Sequence, residues 1–328
     1  MVAALAERIV DARITRRQWM RFTATGVAAG ALYASPARAL FDGAERFPET
    51  RAFIDAYVTS RRLPGAIAAI GLGEGGLQSV AAGTQAMDSA TPVDLDTLWR
   101  IYSMTKPITG MAVMMLIEEG KLTLDQPLSD ILPAFAHMQV LTSADAPIDH
   151  VVPAQRPITI RQLLTHTSGL GYSIIQNGPI KDAYVAHGIV PGQVSRISLP
   201  GLDRGAPAPS LTAFADRLAQ LPLVYQPGTK WSYSIGLDLL GRVIEVVSGQ
   251  PFDSFLKTRI FDPLQMASTG FQVAPDQVAR LSTNYAPVGG VLLPLDPAST
   301  SIYLDKPAFP FGGAGLVSSA RDYDRFLH

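Results

Sequence analysis

Apolar residues recur along this chain at several spacings, and each spacing predicts a different element. Phe53 to Arg62 reads as an opening helix. Ala66 to Leu72 and Leu77 to Gly83 read as paired strands, and the glycines of Gly71-Leu72-Gly73-Glu74-Gly75-Gly76 read as the hairpin turn between them. Ile108 and the run Met111 to Ile117 leave no strongly polar face before Glu118, the pattern of a helix buried on all sides. Gly120 with Lys121 closes that helix. Leu237, Leu240, Ile244 and Val247 mark a further helix ended by Gly249, and Pro251 to Ile260 forms an amphipathic stretch. Thr142 to Pro157 shows no period, and its Ser143, Asp145, Pro147 and Pro153 mark it as irregular. Arg321 to His328 reads as the first turns of a last helix.

The start of the apolar helix carries the chemistry. Ser103-Met104-Thr105-Lys106-Pro107 places a hydroxyl at the helix mouth and an amine one turn on. Residues three apart share a helix face, with Cβ atoms roughly 5–6 Å apart, so Lys106 can reach Ser103. A serine attacks poorly until a base takes its proton, and a lysine serves only where burial or neighbouring charge disfavours the ammonium. Ser-x-x-Lys alone proves little, since about one or two chance matches are expected at this length. Ser254-Phe255-Leu256-Lys257 is such a match, and its amphipathic setting places Ser254 and Lys257 on a solvated face.

Competing chemistries find no footing. No serine has the glycine flanks of a nucleophile elbow, and there is no His-Glu-x-x-His. With no cysteine, a thiolate metal site or a redox pair is excluded, and no cofactor is expected. His137, His150, His166, His187 and His328 form no ligand spacing; His166, in Leu164-Thr165-His166-Thr167-Ser168-Gly169, reads as a turn-holding residue. The 328 residues are 47% hydrophobic and 17% charged with a formal net charge of −1, which suits a large core and gives no electrostatic footprint for nucleic acid. Gly 28 and Pro 25 point to a loop-rich α+β chain.

Further motifs follow in order: Arg161 to Leu170, Pro227-Gly228-Thr229-Lys230-Trp231-Ser232-Tyr233-Ser234, Asp238 to Glu245, and Phe261-Asp262-Pro263-Leu264-Gln265-Met266. With Ser103 to Pro107 ahead of them, the chain from about Phe53 onward resembles serine β-lactamase-like hydrolases, closest to the class C β-lactamase and family VIII carboxylesterase branch. The resemblance implies a β-lactamase/transpeptidase-like α+β fold with a helical lobe, an α/β lobe carrying an antiparallel sheet, and the site between them. It implies Ser103 as the acyl-forming nucleophile, Lys106 as its base partner and Tyr233 as a proton relay to the leaving group. A small-molecule ester or amide is the implied substrate. Read from the residues alone, Tyr233 fits better as a packed aromatic beside Trp231, anchoring the helix that follows, and it is the resemblance that assigns it the relay.

Two departures shape the expectation. The β-lactamase motif at Tyr233 is Tyr-x-Asn, whose amide binds the antibiotic; here the third position is Ile235, which cannot make that bond. Ester cleavage is therefore expected ahead of β-lactamase or D-alanyl peptidase activity. The family's third motif, Lys-Thr-Gly or an equivalent on a C-terminal strand, is not found. Gly312 to Ser319 resembles the segment before the closing strands. The chain thus reads as truncated, with a meagre sheet made chiefly by the Ala66–Gly83 hairpin and with Ser103, Lys106 and Tyr233 still converging. A non-catalytic remnant is the alternative.

The N-terminus reads as an address. Thr15-Arg16-Arg17-Gln18-Trp19-Met20-Arg21 precedes a mildly apolar stretch from Phe22 to Ser35, and Ala37-Arg38-Ala39 supplies a small-x-small cleavage pattern. This resembles a twin-arginine signal peptide over 1–39, leaving a hydrolase-like domain over 40–328 in the periplasm or outside the cell. The apolar run is shorter than the roughly 20 residues a membrane span needs, so no stable span is expected.

Overall fold

The computed structural model describes residues 46–71, 76–197 and 205–328. The signal segment read over 1–39 and the turn residues 72–75 lie outside the described residues. Helix α1 (Pro48–Thr59) begins about one turn before the sequence pattern suggests, because Pro48 already has the backbone angle of a first helical residue. Strands β1 (Gly65–Gly71) and β2 (Leu77–Gly83) pair antiparallel, Gly65 opposite Gly83 and Gly71 opposite Leu77.

Strand β3 (Leu98–Arg100) leads through a single turn into helix α2 (Thr105–Glu118). Ile108, Ala112, Val113 and Leu116 of α2 are buried, but Met111 and Met114 are 47% and 44% exposed. The expectation of a helix buried all round is corrected here. Pro107, Met111, Met114 and Glu118 recur at helical spacing as one solvent-facing stripe, and methionine at two of those positions hid the amphipathicity. The close of α2 is as expected: Gly120 has φ +70°, and Lys121 donates its backbone N–H to the Leu116 carbonyl.

Strands β4 (Gln139–Leu141) and β5 (Val151–Pro153) pair antiparallel, which corrects the reading of 142–157 as wholly irregular. Three residues are too few to show a period, so the partner rather than the pattern defines β5. Helices α3 (Ile160–Leu164), α4 (Pro179–Ala186), α5 (Leu211–Leu218) and α6 (Gly236–Ser248) follow, then the short α7 (Phe252–Leu256). A reciprocal cap between Thr159 and Gln162 starts α3, and Gly249 at φ +70° ends α6. Strands β6 (Asn284–Val288) and β7 (Val291–Asp296) form a second hairpin; β8 (Val317–Ser319) pairs with β3 and runs into α8 (Ala320–Leu327), capped by the Ser319 hydroxyl.

The described strands therefore make four separate two-stranded pairings, of which the first hairpin is the longest. The main core is helical. Ile108 and Leu116 of α2, Leu163 of α3, Phe214 of α5, and Leu240 and Ile244 of α6 pack in one cluster, with α2 lying on α6. A smaller cluster of Leu98, Val273, Leu281, Tyr303 and Val317 fixes β3 and β8. No helix among the described residues is long and apolar enough to cross a membrane.

Candidate active site

Ser103 lies in the tight turn Tyr102–Met104 between β3 and α2, exposed at the end of otherwise buried structure. The turn is strained: Tyr102 has φ +41°, a conformation that costs a side-chain-bearing residue on the order of 1–3 kcal/mol. The surroundings hold it in place. Ile101 donates its backbone N–H to Leu316, and the Tyr102 hydroxyl accepts from Asn284 Nδ2 at 2.8 Å.

Lys106 sits one turn on, as the spacing requires. Its Nζ donates to Ser103 Oγ at 3.2 Å and to the Gly313 carbonyl at 2.7 Å. Tyr233 arrives from the loop before α6, its hydroxyl 2.8 Å from Ser103 Oγ. Lys106 Nζ lies 4.6 Å from the centre of the Tyr233 ring, which is close enough for cation–π attraction. The structure thus brings Ser103, Lys106 and Tyr233 together within hydrogen-bonding reach of one hydroxyl. The second tetrad is different: Lys257 is tied to Asp262 at 2.6 and 2.8 Å, and Ser254 hydrogen-bonds locally with Asp253.

His166 positions the tyrosine loop. It adopts φ +57°, its carbonyl accepts the Ser232 N–H at 2.9 Å and its Nδ1 accepts the Ser234 N–H at 3.2 Å. That bond puts the proton of the neutral ring on Nε2. The ring packs 4.7 Å from Tyr233. Burial, aided by the Lys106 charge, lowers its pKa to about 4, so it is neutral near pH 7. Ile235 is fully buried and donates its N–H to Gly171, so no side-chain amide is offered at that position.

Residues to which the sequence reading gave no role complete the site. The loop 312–316 lies along α2, held by Thr109 Oγ1 donating to the Gly312 carbonyl (2.7 Å), by Lys106 on Gly313, and by Leu316 N–H donating to Thr105 Oγ1 (3.2 Å). Asp238, in the first turn of α6, is fully buried and accepts the Gly313 N–H on Oδ1 at 2.9 Å. Desolvation pushes its carboxyl up to about 6, against the opposing pull of Lys106 and of backbone N–H groups. The signal available in the sequence was the run Gly312-Gly313-Ala314-Gly315. A Cβ on Gly313 would stand 2.3 Å from Asp238 Oδ2, and one on Gly312 would stand 2.5 Å from the Leu237 carbonyl. No group of three or more acidic or histidine side chains among the described residues is arranged to hold a metal ion.

A hydroxyl flanked by an amine and a phenol, on a rigid helix mouth, is suited to acyl transfer. Comparisons with known proteins show the family. Residues 50–328 match the Beta-lactamase family. Protein Rv1367c of Mycobacterium tuberculosis is 36% identical over 265 residues, which is 81% of this chain and 61% of that protein. Esterase EstB of Burkholderia gladioli is 33% identical over 87% of this chain and 70% of its own length. Among solved structures, EstCE1, described as a hydrolase with promiscuous acyltransferase activity, superposes with a TM-score of 0.65 at 27% identity, over 85% of this chain and 71% of its own. A class C β-lactamase from Rhodobacter sphaeroides shares the fold, with a TM-score of 0.56 at 21% identity, over 85% of this chain and 64% of its own. This chain belongs to the Beta-lactamase family, and its α+β fold is of the β-lactamase/transpeptidase kind. It spans about 61% of the length of its mycobacterial relative.

Proposed function

We propose that this protein is an exported serine hydrolase that cleaves small carboxylic esters through an acyl-enzyme on Ser103. One observation carries the reading: Ser103 Oγ has the Tyr233 hydroxyl at 2.8 Å and the Lys106 amine at 3.2 Å. Ser103 Oγ attacks the ester carbonyl carbon and its proton passes to the Lys106–Tyr233 pair. As the tetrahedral adduct collapses, the C–O bond to the alcohol breaks and the pair returns the proton to the departing oxygen. Water then attacks the acyl carbon, its proton passing through the same pair to Ser103 Oγ as the acyl–Oγ bond breaks, and the carboxylic acid leaves. An alcohol in place of that water gives acyl transfer, an activity carried in the names of related proteins such as acyltransferase calJ of Penicillium decumbens, 30% identical over 74% of this chain.

A fluorophosphonate probe followed by peptide mapping tests the nucleophile. Labelling is expected at Ser103 and lost in Ser103→Ala; labelling at Ser254 overturns the assignment, and no labelling leaves the non-catalytic reading standing. Selectivity follows from Ile235. With an apolar, buried side chain where a β-lactamase offers an amide, short-chain p-nitrophenyl esters are expected to exceed nitrocefin in kcat/KM by at least about 10²-fold. Comparable values on the two would refute the ester preference. Export rests on the Arg16-Arg17 motif. Arg16→Lys with Arg17→Lys is expected to trap the protein in the cytoplasmic fraction, and unchanged fractionation would remove the signal reading.

A further inference from the structure

Asp238 is an expensive residue where it stands. The side chain is fully buried, Oδ1 accepts the Gly313 N–H at 2.9 Å, and Oδ2 has no hydrogen-bond partner. A buried acid with an unsatisfied oxygen is costly unless something else depends on it. Its bond to Gly313 leads to the reactive centre. Gly313, whose N–H Asp238 holds, turns its carbonyl onto Lys106 Nζ at 2.7 Å, and the same Nζ donates to Ser103 Oγ at 3.2 Å. Contact with Gly313 is tight as well, since a Cβ there would stand 2.3 Å from Oδ2. The glycine and the acid therefore fit only each other's present shapes.

From this geometry we infer that Asp238 is a positioning residue for Lys106: by holding the N–H on one side of the Gly313 Cα it limits the torsions of that glycine, which set where the carbonyl on the other side meets Nζ, and so holds the amine against Ser103. The inference rests on the reading of Ser103 as nucleophile. The operative feature is the hydrogen bond from Gly313 N–H to Oδ1. Without it Gly313 regains the torsional freedom of a glycine, the carbonyl beyond its Cα can swing, and Lys106 loses the contact that fixes its reach. Thr109 and Thr105 still anchor the loop at Gly312 and Leu316, so the loss falls on the lysine and leaves the loop's path in place.

The test compares Asp238→Ala, Asp238→Asn and Gly313→Ala in the full chain, with the rate of fluorophosphonate labelling at Ser103 as readout and circular dichroism as the control for folding. Asp238→Ala is expected to slow labelling by about 10²-fold, the scale of a misplacement near 1 Å. Asp238→Asn keeps an acceptor oxygen for the Gly313 N–H and is expected to stay within about tenfold of the native rate on the same scale. Gly313→Ala pushes the carboxyl aside and is expected to match Asp238→Ala. A folded Asp238→Ala that reacts at the native rate overturns the proposal. So does an Asp238→Asn as slow as the alanine variant, because the hydrogen bond would then not be what matters. If Asp238→Ala fails to fold, the asparagine and Gly313→Ala variants decide between them. Crystal structures of the native chain and of Gly313→Ala give a readout independent of activity: Nζ is expected to leave Ser103 Oγ by more than about 1 Å in the variant, and an unmoved Nζ refutes the inference. A native chain that never reacts with the probe thus sinks the functional reading, and this one is still decided by where Nζ sits.

Discussion

Asp238 and His166 both lie close enough to Lys106 to feel its charge, and burial works against the charged form of both. The Asp238 carboxyl is raised from 3.8 to about 6, and the His166 imidazole is lowered from 6.5 to about 4. The signs give opposite pH windows. The contribution of Asp238 to stability is full below pH 3.8 and is lost as pH rises through about 6, because the unfolded chain ionises more readily. That of His166 is full above pH 6.5 and is lost as pH falls through about 4. Between about pH 4 and pH 6 both groups are neutral in the fold. The native chain should therefore lose stability relative to Asp238→Asn between pH 4 and pH 7, by an amount on the order of 3 kcal/mol. Urea denaturation of both proteins at several pH values measures it; a constant difference across that range would show that Asp238 titrates normally.

At the scale of elements, the turn bearing Ser103 depends on an ion pair that pattern reading cannot see. Arg100, the last residue of β3, is buried; its Nε donates to Asp296 Oδ2 at 2.7 Å and its Nη2 to the Ser301 hydroxyl at 3.0 Å. Asp296 closes β7, so the pair ties the second hairpin to the strand entering the active-site turn. Removing one partner leaves the other charge buried, which costs about 3–5 kcal/mol, whereas replacing both with apolar residues costs far less. Arg100→Met is thus expected to destabilise by that amount in urea titration, and Arg100→Met with Asp296→Leu to recover most of it. Equal losses in the two would mean the pair does not act as a unit. Local pattern made the paired strands at Ala66–Gly83, the helix after Ser103 and the helix ended by Gly249 legible. It failed where an element exists only through its partner: β5 is three residues against β4, and β8 three residues against β3.

Across the whole molecule the same division governs the site. Ser103 and Lys106 were readable because one helical turn joins them, and Tyr233 because the ordered motifs implied it. Asp238 and Gly313 were not, because their roles arise from a contact between chain segments 75 residues apart. The exposed stripe of α2 was concealed for a related reason: methionine is apolar wherever it stands, and composition alone does not tell a core face from a solvent face. Met104, Met111 and Met114 are each more than two-fifths exposed, beside a turn that carries the site. Among the described residues β1 pairs with β2 alone, so no strand lines its second edge, and α8 packs against β1. Exposed apolar stripes and open strand edges both favour association. The chain is expected to self-associate at micromolar concentration, seen as a sedimentation coefficient that rises with loading. Met111→Glu with Met114→Glu keeps good helix formers in α2 while charging the stripe, and should shift the chain toward monomer with Ser103 labelling unchanged. If the native chain sediments as a monomer at all concentrations, the stripe is inert. If the glutamates leave association intact, the strand edge becomes the responsible surface.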